Sequence, residues 1–458
     1  MPSGDLPPSS SLGKRAKSAG VWNLGALVAS QGIRLGGNLI MARLLVPEMF
    51  GLMVIATTVA VVLALLSDMG LRQNIIQSKR GNDPVFLNTA WTVQILRGFI
   101  LFALSLLVAG FAWFAQVVNL SPAGSTYAAP ELPLVLAVTG FTSVINGFQS
   151  TKLALAFRSF QQNKVVLTEL AAQIIGLLVM LGIGYFTGSI WSLVAAGLVA
   201  AMVSTALGHL WLQGPNNRLQ WDSAALKELI AFGRWVLLSS AVGVLAAHGD
   251  RIWFGGSMSA AELGVYSIAV LILGAIEFGV RRLAAAVALP ALSEVARTGD
   301  AARLRALYYR FRLLIDLALL FACGLLLTLS PLIIGWLYDA RYAGAGSMLA
   351  ILSLSLFTLR FTLAHQAWLA LGLTKYLAVD NLIRFVSLWA LLPLLLAMGG
   401  TSYAIWGVAL YALPTIFFIL YINRRLGLFD IRRELVVLPM LGIGALCGMG
   451  FSQVVTWF

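Results

Sequence analysis

About thirteen apolar stretches (12–14, by where the ends are set) divide this chain of 458 residues, and each is long enough to cross a bilayer as a helix. Roughly 20 residues at a rise of about 1.5 Å cover the hydrocarbon core. The stretches fall near residues 20–43, 49–70, 88–113, 132–151, 165–186, 189–211, 234–254, 262–289, 312–336, 345–371, 376–398, 401–422 and 435–457. With 60% hydrophobic and 11% charged residues, the chain is no soluble globular domain but an all-α polytopic membrane protein.

A net charge of +13 would suggest nucleic acid as partner of a soluble chain. Here the basic residues alternate along the connections. Counting 14, 15 and 17, then every second loop, 22 of the 31 Lys and Arg lie on one side, whereas the other side carries Arg43 and Arg341 and little else. That bias marks the cytoplasmic face, so the N-terminus is expected in the cytoplasm and no nucleic acid is implied. Residues 1–17 open Pro/Ser-rich and are expected to be disordered. The apolar stretch after them is too long for a signal peptide and contains Arg34, so it reads as a retained helix.

Metal chemistry has little to stand on. Cys323 and Cys447 lie far apart, and His209, His248 and His365 are isolated, so no metal site or cofactor is expected. Coupling to protons or sodium stays open.

The organisation expected is a lobe at 18–213, an amphipathic cytoplasmic linker at 214–233, a second lobe at 234–423, and an additional loop and helix at 424–458. Within the linker, WDSAALKELIAFG has Asp222 or Ser223 as N-cap and Leu226, Leu229 and Ile230 for the headgroup layer.

The first apolar stretch, VWNLGALVASQGIRLGGNLIMARLL, carries Gln31, Arg34 and Asn38 at offsets of 3, 4 and 7, on one helical face. Gly32 and Gly36 beside that face suit a close helix contact. A mid-membrane arginine costs roughly 2.5–3.5 kcal/mol on insertion scales, so it should face a bundle interior or a wet cavity. Either a neighbouring helix holds it or a polar ligand passes it.

A shift of 213 residues places VPEMFGLMVIA (46–56) on SAAELGVYSIA (259–269). An acid near a turn is followed in both by apolar-Gly-apolar. The same shift sets Arg34 on Ala247 beside His248, Asn38 on Arg251 and Asp68 on Arg281. Six helices separate the copies, so both have the same orientation: a parallel repeat of two pseudo-symmetric lobes around a central cavity.

At these residues the chain resembles a known family. ARLLVPEMFGLMVIATTVAVVLALLSDMGLRQNIIQ and LIAFGRWVLLSSAVGVLAAHGDRIWFGGSMSAAELGVYSIA, with WLYDARYAGAGSMLAILSL and AWLALGLTK further on, resemble bacterial polysaccharide (O-antigen or exopolysaccharide) flippases of the multidrug/oligosaccharidyl-lipid/polysaccharide exporter superfamily. The resemblance implies no enzyme but a flippase, moving undecaprenyl-diphosphate-linked oligosaccharide repeat units by alternating access. Polysaccharide polymerase and co-polymerase would be partners, membrane lipids the surroundings, and a monomer the working form. Fourteen helices are common in that group.

Intramembrane charge selects the candidate residues. Arg34, Gln31 and Asn38 with His248 and Arg251 would supply a ligand site in the outer half of the cavity, and Arg281 and Arg282 nearer the cytoplasm. Guanidinium forks suit the oxygens of a diphosphate. Asp68, Arg72, Asp250, Glu277 and Arg360 are candidates for gating or coupling. Asp68 is expected to pair with Arg281 or Arg282 when the cavity opens outward, with Arg72, four residues along, as the local alternative. Glu169, Asp316, Asp380 and Arg384, near inner ends, read as structural. The rival function is a multidrug or small-solute antiporter of the same architecture, but a cationic drug favours acids and this set is rich in arginine. A scaffolding role is separable by transport in liposomes.

Overall fold

The computed structural model describes the backbone of residues 9–158 and 162–456, and it is helical nearly throughout, with no strand among the described residues. The first half of the chain comprises α1 (Ser9–Leu44), α2 (Pro47–Leu66), α3 (Leu71–Gln77), α4 (Pro84–Val117), α5 (Leu132–Gly140), α6 (Thr142–Gly147), α7 (Lys152–Arg158), α8 (Gln162–Thr187) and α9 (Trp191–Leu210). The second comprises α10 (Ser223–Ser257), α11 (Ala260–Leu283), α12 (Leu289–Thr298), α13 (Ala301–Leu337), α14 (Gly344–Leu352), α15 (Ser355–Leu359), α16 (Thr362–Ala370), α17 (Thr374–Leu410), α18 (Leu413–Arg425), α19 (Ile431–Leu435) and α20 (Pro439–Thr456). Since α1 starts at Ser9, helix covers part of the segment expected to lack structure; residues 1–8 lie outside the described residues.

Among the described residues nine helical stretches are long and apolar enough to cross a membrane, or ten with the bent stretch formed by Leu132–Gly147 and Lys152–Arg158. The reading of thirteen also counts α1 and α10, which are not among these nine. It further divides the stretch Thr374–Arg425 at Gly399 and Gly400, where the helical backbone breaks.

The chain forms two compact units, and each draws on separated segments: Met1–Ile40, Ser67–Leu107 and Ala137–Leu237 in one, Met41–Leu66, Val108–Leu136 and Leu238–Phe458 in the other. In the first unit, the core gathers Leu71 and Ile75 of α3, Phe86, Leu87 and Ala90 of α4, Ala154 of α7, and Ala225 and Leu229 of α10. This corrects the linker reading. The amphipathic segment is the first part of α10, continuous with the following span; Leu229 is fully buried and Leu226 packs on the same core, leaving Ile230 exposed. Its apolar face meets protein instead of headgroups. Asp222 does cap it, Oδ1 accepting from Ala225 N at 2.7 Å.

The break between α6 and α7 frees backbone carbonyls inside an apolar layer. Gln94 of α4 satisfies them: its Nε2 donates to the carbonyls of Asn146, Gly147 and Gln149 at 3.1, 3.1 and 2.9 Å. Arg158 does the same for α3, with Nη1 donating to the carbonyls of Ile75, Ile76 and Ser78 at 2.9, 3.0 and 2.7 Å. Lys152 Nζ holds His209 O and Asn216 Oδ1, both at 2.9 Å. These basic loop residues therefore stitch the fold as well as biasing topology.

The second unit is built on α2 against α11 and α13 against α14 and α20. Its helix starts are strongly specified. Ser259 and Glu262 form a reciprocal capping box at α11, and Asp300 Oδ1 accepts from Arg303 N at 2.9 Å at α13. At the low-charge end the loops are strapped down. Arg341 Nη2 donates to Ala42 O (3.1 Å) and Arg43 O (3.3 Å), and its Nη1 to Leu45 O (3.2 Å), capping the last carbonyls of α1. Asp339 grips the same guanidinium at 2.5 Å. Thr126 N and Oγ1 both donate to Met258 O, at 2.9 and 3.0 Å, and Tyr127 OH donates to Ile252 O at 2.7 Å. Segments from both halves of the sequence are thus fastened at this end of the unit.

Deep in the same unit lies an ionic cluster. Glu434 of α19 accepts two bonds from Arg312 of α13, to Nη1 and, at 2.6 Å, to Nη2, while Arg360 Nη2 donates at 2.7 Å. Arg312 Nε stands 3.2 Å from Asp316 Oδ2, and the Phe361 ring lies 4.5 Å from the Arg312 guanidinium and 4.8 Å from that of Arg360. Two arginines meet two carboxylates, so charge balances inside the bundle. Arg312, one of the 22 basic residues assigned above to the loops of one side, lies instead within α13, which begins at Ala301 and buries it completely.

Candidate functional site

A cavity of about 210 Å³ opens in the second unit, walled by α10, α11, α14, α15, α17 and the α17–α18 turn. Its charged lining is Asp250 and Arg251 from α10, Glu277 and Arg281 from α11, and Arg384 from α17, joined by Tyr266 and Tyr411. Residues 247, 250 and 251 of α10, and 266, 270, 273, 274, 277 and 281 of α11, recur at helical spacing, so one face of each helix serves the cavity.

The charges differ in how fully they are partnered. Arg384 is committed: Nε donates to Asp380 Oδ2 at 2.8 Å, with His365 Nε2 3.2 Å from the same oxygen and Thr415 Oγ1 3.4 Å from Nη2. Arg281 reaches Glu277 only at 3.9 Å and is half exposed. Arg251 Nη1 meets His248 Nδ1 at 2.8 Å, and no ion-pair partner within 4.0 Å is found for it among the described residues. A guanidinium has five donors, so Arg251 and Arg281 retain N–H groups for a ligand. Asp250 is 8% exposed and accepts from Tyr266 OH at 2.5 Å through Oδ2. Its Oδ1 is buried without a partner, as is Ser355 Oγ on the facing wall.

Of the residues singled out in the sequence, the cavity brings together Arg251, Asp250, Glu277 and Arg281, with His248 holding Arg251 from one turn away. Arg282 is exposed and is not among the lining residues. Gln31, Arg34 and Asn38 belong to the first unit, where Arg34 is exposed and Gln31 and Asn38 are half-buried. The close contact of α1 there is made by Gly37 against Leu177 of α8, with nothing within 4 Å of a Cβ at Gly32 or Gly36, contrary to the expected glycine pair. Asp68 lies in the loop after α2, its Oδ1 accepting from Gly70 N at 3.0 Å, and the Arg72 guanidinium lies 3.6 Å from the Phe157 ring centre. Arg360 sits in the Glu434 cluster and does not line the cavity, a partner that settles what its mid-span charge faces.

Sequence reasoning missed Tyr266, Tyr411 and Ser355, whose polar atoms are common in apolar helices and gave no signal. Arg384 was read as structural; it pairs with Asp380 and lines the cavity as well. Glu434 was overlooked, although an acid opening an apolar stretch while two arginines sit mid-span was a usable sign.

An all-helical bundle with charged groups facing an internal cavity is also the fold of solved membrane transporters. The chain is similar to the lipid II flippase MurJ in an inward closed conformation (TM-score 0.63, 13% identity, 98% of this chain and 93% of that one). It is similar to an inward-facing multidrug resistance MATE transporter of the MOP superfamily (TM-score 0.58, 13% identity, 89% and 94%). A MOP superfamily transporter from Pyrococcus furiosus, described as having a binding pocket of reversed polarity, also matches (TM-score 0.57, 13% identity, 90% and 96%). At such identities these likenesses show the fold. No curated protein sequence matches the chain. The profile of one family matches residues 40–347, well over half the chain, and the protein belongs to that family, the polysaccharide biosynthesis proteins.

Proposed function

We propose that this protein is a flippase that moves a lipid-diphosphate-linked oligosaccharide from the inner to the outer leaflet of the bacterial inner membrane, its N-terminus in the cytoplasm. The observation that carries the reading is Arg251 in the cavity: a guanidinium inside an apolar bundle, in contact with His248, with no carboxylate found within 4.0 Å among the described residues. An arginine so placed is costly unless an anion visits it. Arg281, weakly held by Glu277, adds positive potential in the same cavity. A diphosphate fits that set through paired, charge-assisted hydrogen bonds. The lipid tail stays in the bilayer while the head group passes a polar groove. Family membership and the flippase fold support the same reading. A cationic drug is disfavoured by Arg251, for which no ion-pair partner within 4.0 Å is found among the described residues. The test is genetic: deletion should make a lipid-linked sugar accumulate on the inner leaflet, and the sugar that accumulates identifies the glycan. No accumulation would contradict the proposal.

A further inference from the structure

The cavity holds two groups that the diphosphate reading does not use. Asp250 Oδ1 and Ser355 Oγ are buried, lack hydrogen-bond partners, and belong to residues lining the same space. Burying an acceptor unpaired costs as much as a hydrogen bond is worth, so such atoms mark where a ligand's own donors go. Tyr266, fully buried, fixes the carboxylate by donating to Oδ2, and so leaves Oδ1 as the acceptor on offer.

The chemistry of the donor is constrained by its surroundings. An ammonium or drug cation would sit against Arg251 and the weakly held Arg281. A metal ion needs several oxygens, and no group of three or more metal-binding side chains occurs among the described residues. Neutral hydroxyl groups meet neither objection: they donate to Asp250, and they both donate to and accept from Ser355. Asp250 and Arg251 are consecutive in sequence and line one cavity, so an acceptor for hydroxyls and a fork for phosphate stand side by side.

Resting on the proposed function, we infer that Asp250 and Ser355 form the subsite that recognises the hydroxyl groups of the sugar attached directly to the diphosphate. The subsite makes the protein discriminate a glycosylated carrier from the bare carrier lipid diphosphate, which would otherwise compete for the same arginines.

The experiment measures binding to the purified full-length protein by microscale thermophoresis, with two probes: farnesyl diphosphate, and farnesyl diphosphate bearing one N-acetylhexosamine. The sugar should tighten binding about tenfold, the scale of one hydrogen bond to a charged acceptor. In Asp250→Asn, and less completely in Ser355→Ala, the ratio of the two dissociation constants should fall toward one. Ser355→Ala changes no charge and removes one hydroxyl, so it serves if the Asp250 variant folds poorly. A ratio near one in the unaltered protein, or a ratio unchanged in both variants, overturns the subsite. If neither probe binds, the diphosphate reading fails; if the bare diphosphate binds and the sugar adds nothing, only the subsite fails.

Discussion

Gly51 and Gly264 occupy matching places in one helix contact. A Cβ on Gly51 of α2 would collide with the carbonyl oxygen of Ala260, and a Cβ on Gly264 of α11 with that of Pro47. The shift from 51 to 264 is the shift from 47 to 260, 213 residues each time. The contact is therefore self-complementary, the outcome when two copies of one motif meet about a local two-fold relation. It also closes α2 on α11 at the end where Arg341 and Thr126 fasten the loops.

Gly51→Ala and Gly264→Ala should each force α2 and α11 apart. Backbone carbonyls are the obstacle, so the helices cannot relax around the methyl, and overpacking of this kind costs roughly 1–3 kcal/mol. Melting temperature of the detergent-solubilised protein should fall in both variants. Gly274→Ala, with nothing within 4 Å of a Cβ, is the control and should stay close to the parent. Equal behaviour of all three variants would mean the helices are not in this contact.

Glu434→Gln should be among the most damaging single changes. It leaves Arg312 and Arg360 buried with Asp316 as the remaining acid, and an uncompensated buried charge costs roughly 3–5 kcal/mol. Adding Arg360→Met to Glu434→Gln removes one of the stranded charges and should recover part of the loss. Thermal unfolding monitored by intrinsic tryptophan fluorescence reports both; a Glu434→Gln protein as stable as the parent contradicts the cluster.

The strap at the low-charge end should resist mild acid. The Arg341 hydrogen bond holds the Asp339 carboxyl below its ordinary value of 3.8, and Asp339 in turn raises Arg341. A depressed carboxylate contributes stability above its unfolded value and loses it as pH falls through the lower folded value. Protection factors of the amides at residues 42–45, which correct for the intrinsic dependence of exchange on pH, should thus be the same from pH 7 to pH 5 and drop only below 3.8. A drop in protection already at pH 5, or Asp339→Asn protected like the parent at neutral pH, would show that Asp339 does not hold the strap.

How much of this was legible beforehand follows from the residues. Periodicity and loop charge located the helices, since a bilayer leaves few other ways to satisfy a backbone. The 213-residue shift pointed to Gly51 and Gly264 because a glycine at a close approach recurs with the motif that requires it. Asp250, Arg251, Glu277 and Arg281 each stood out because charge in an apolar helix is rare, but that Arg251 and Arg281 share one cavity was not legible. Partnership was hidden: that Arg360 meets Glu434 across 74 residues, and that Leu229 faces the α3–α4 core instead of lipid, depends on tertiary packing that no local spacing encodes. Tyr266 was hidden for a different reason, as a tyrosine becomes informative only once its hydroxyl is seen on Asp250.

The central claim is that arginines in this cavity handle a lipid-linked diphosphate, and flux across a bilayer tests it most directly. The protein would be reconstituted into liposomes bearing a fluorescent short-chain lipid-diphosphate oligosaccharide, with outer-leaflet label bleached and its recovery followed. The parent should restore the signal, Arg251→Ala should slow it by roughly tenfold or more, and Arg251→Lys, which keeps charge but loses the fork, should lie between. Recovery by Arg251→Ala at the parent rate, in a variant with the parent's melting temperature, would contradict the account.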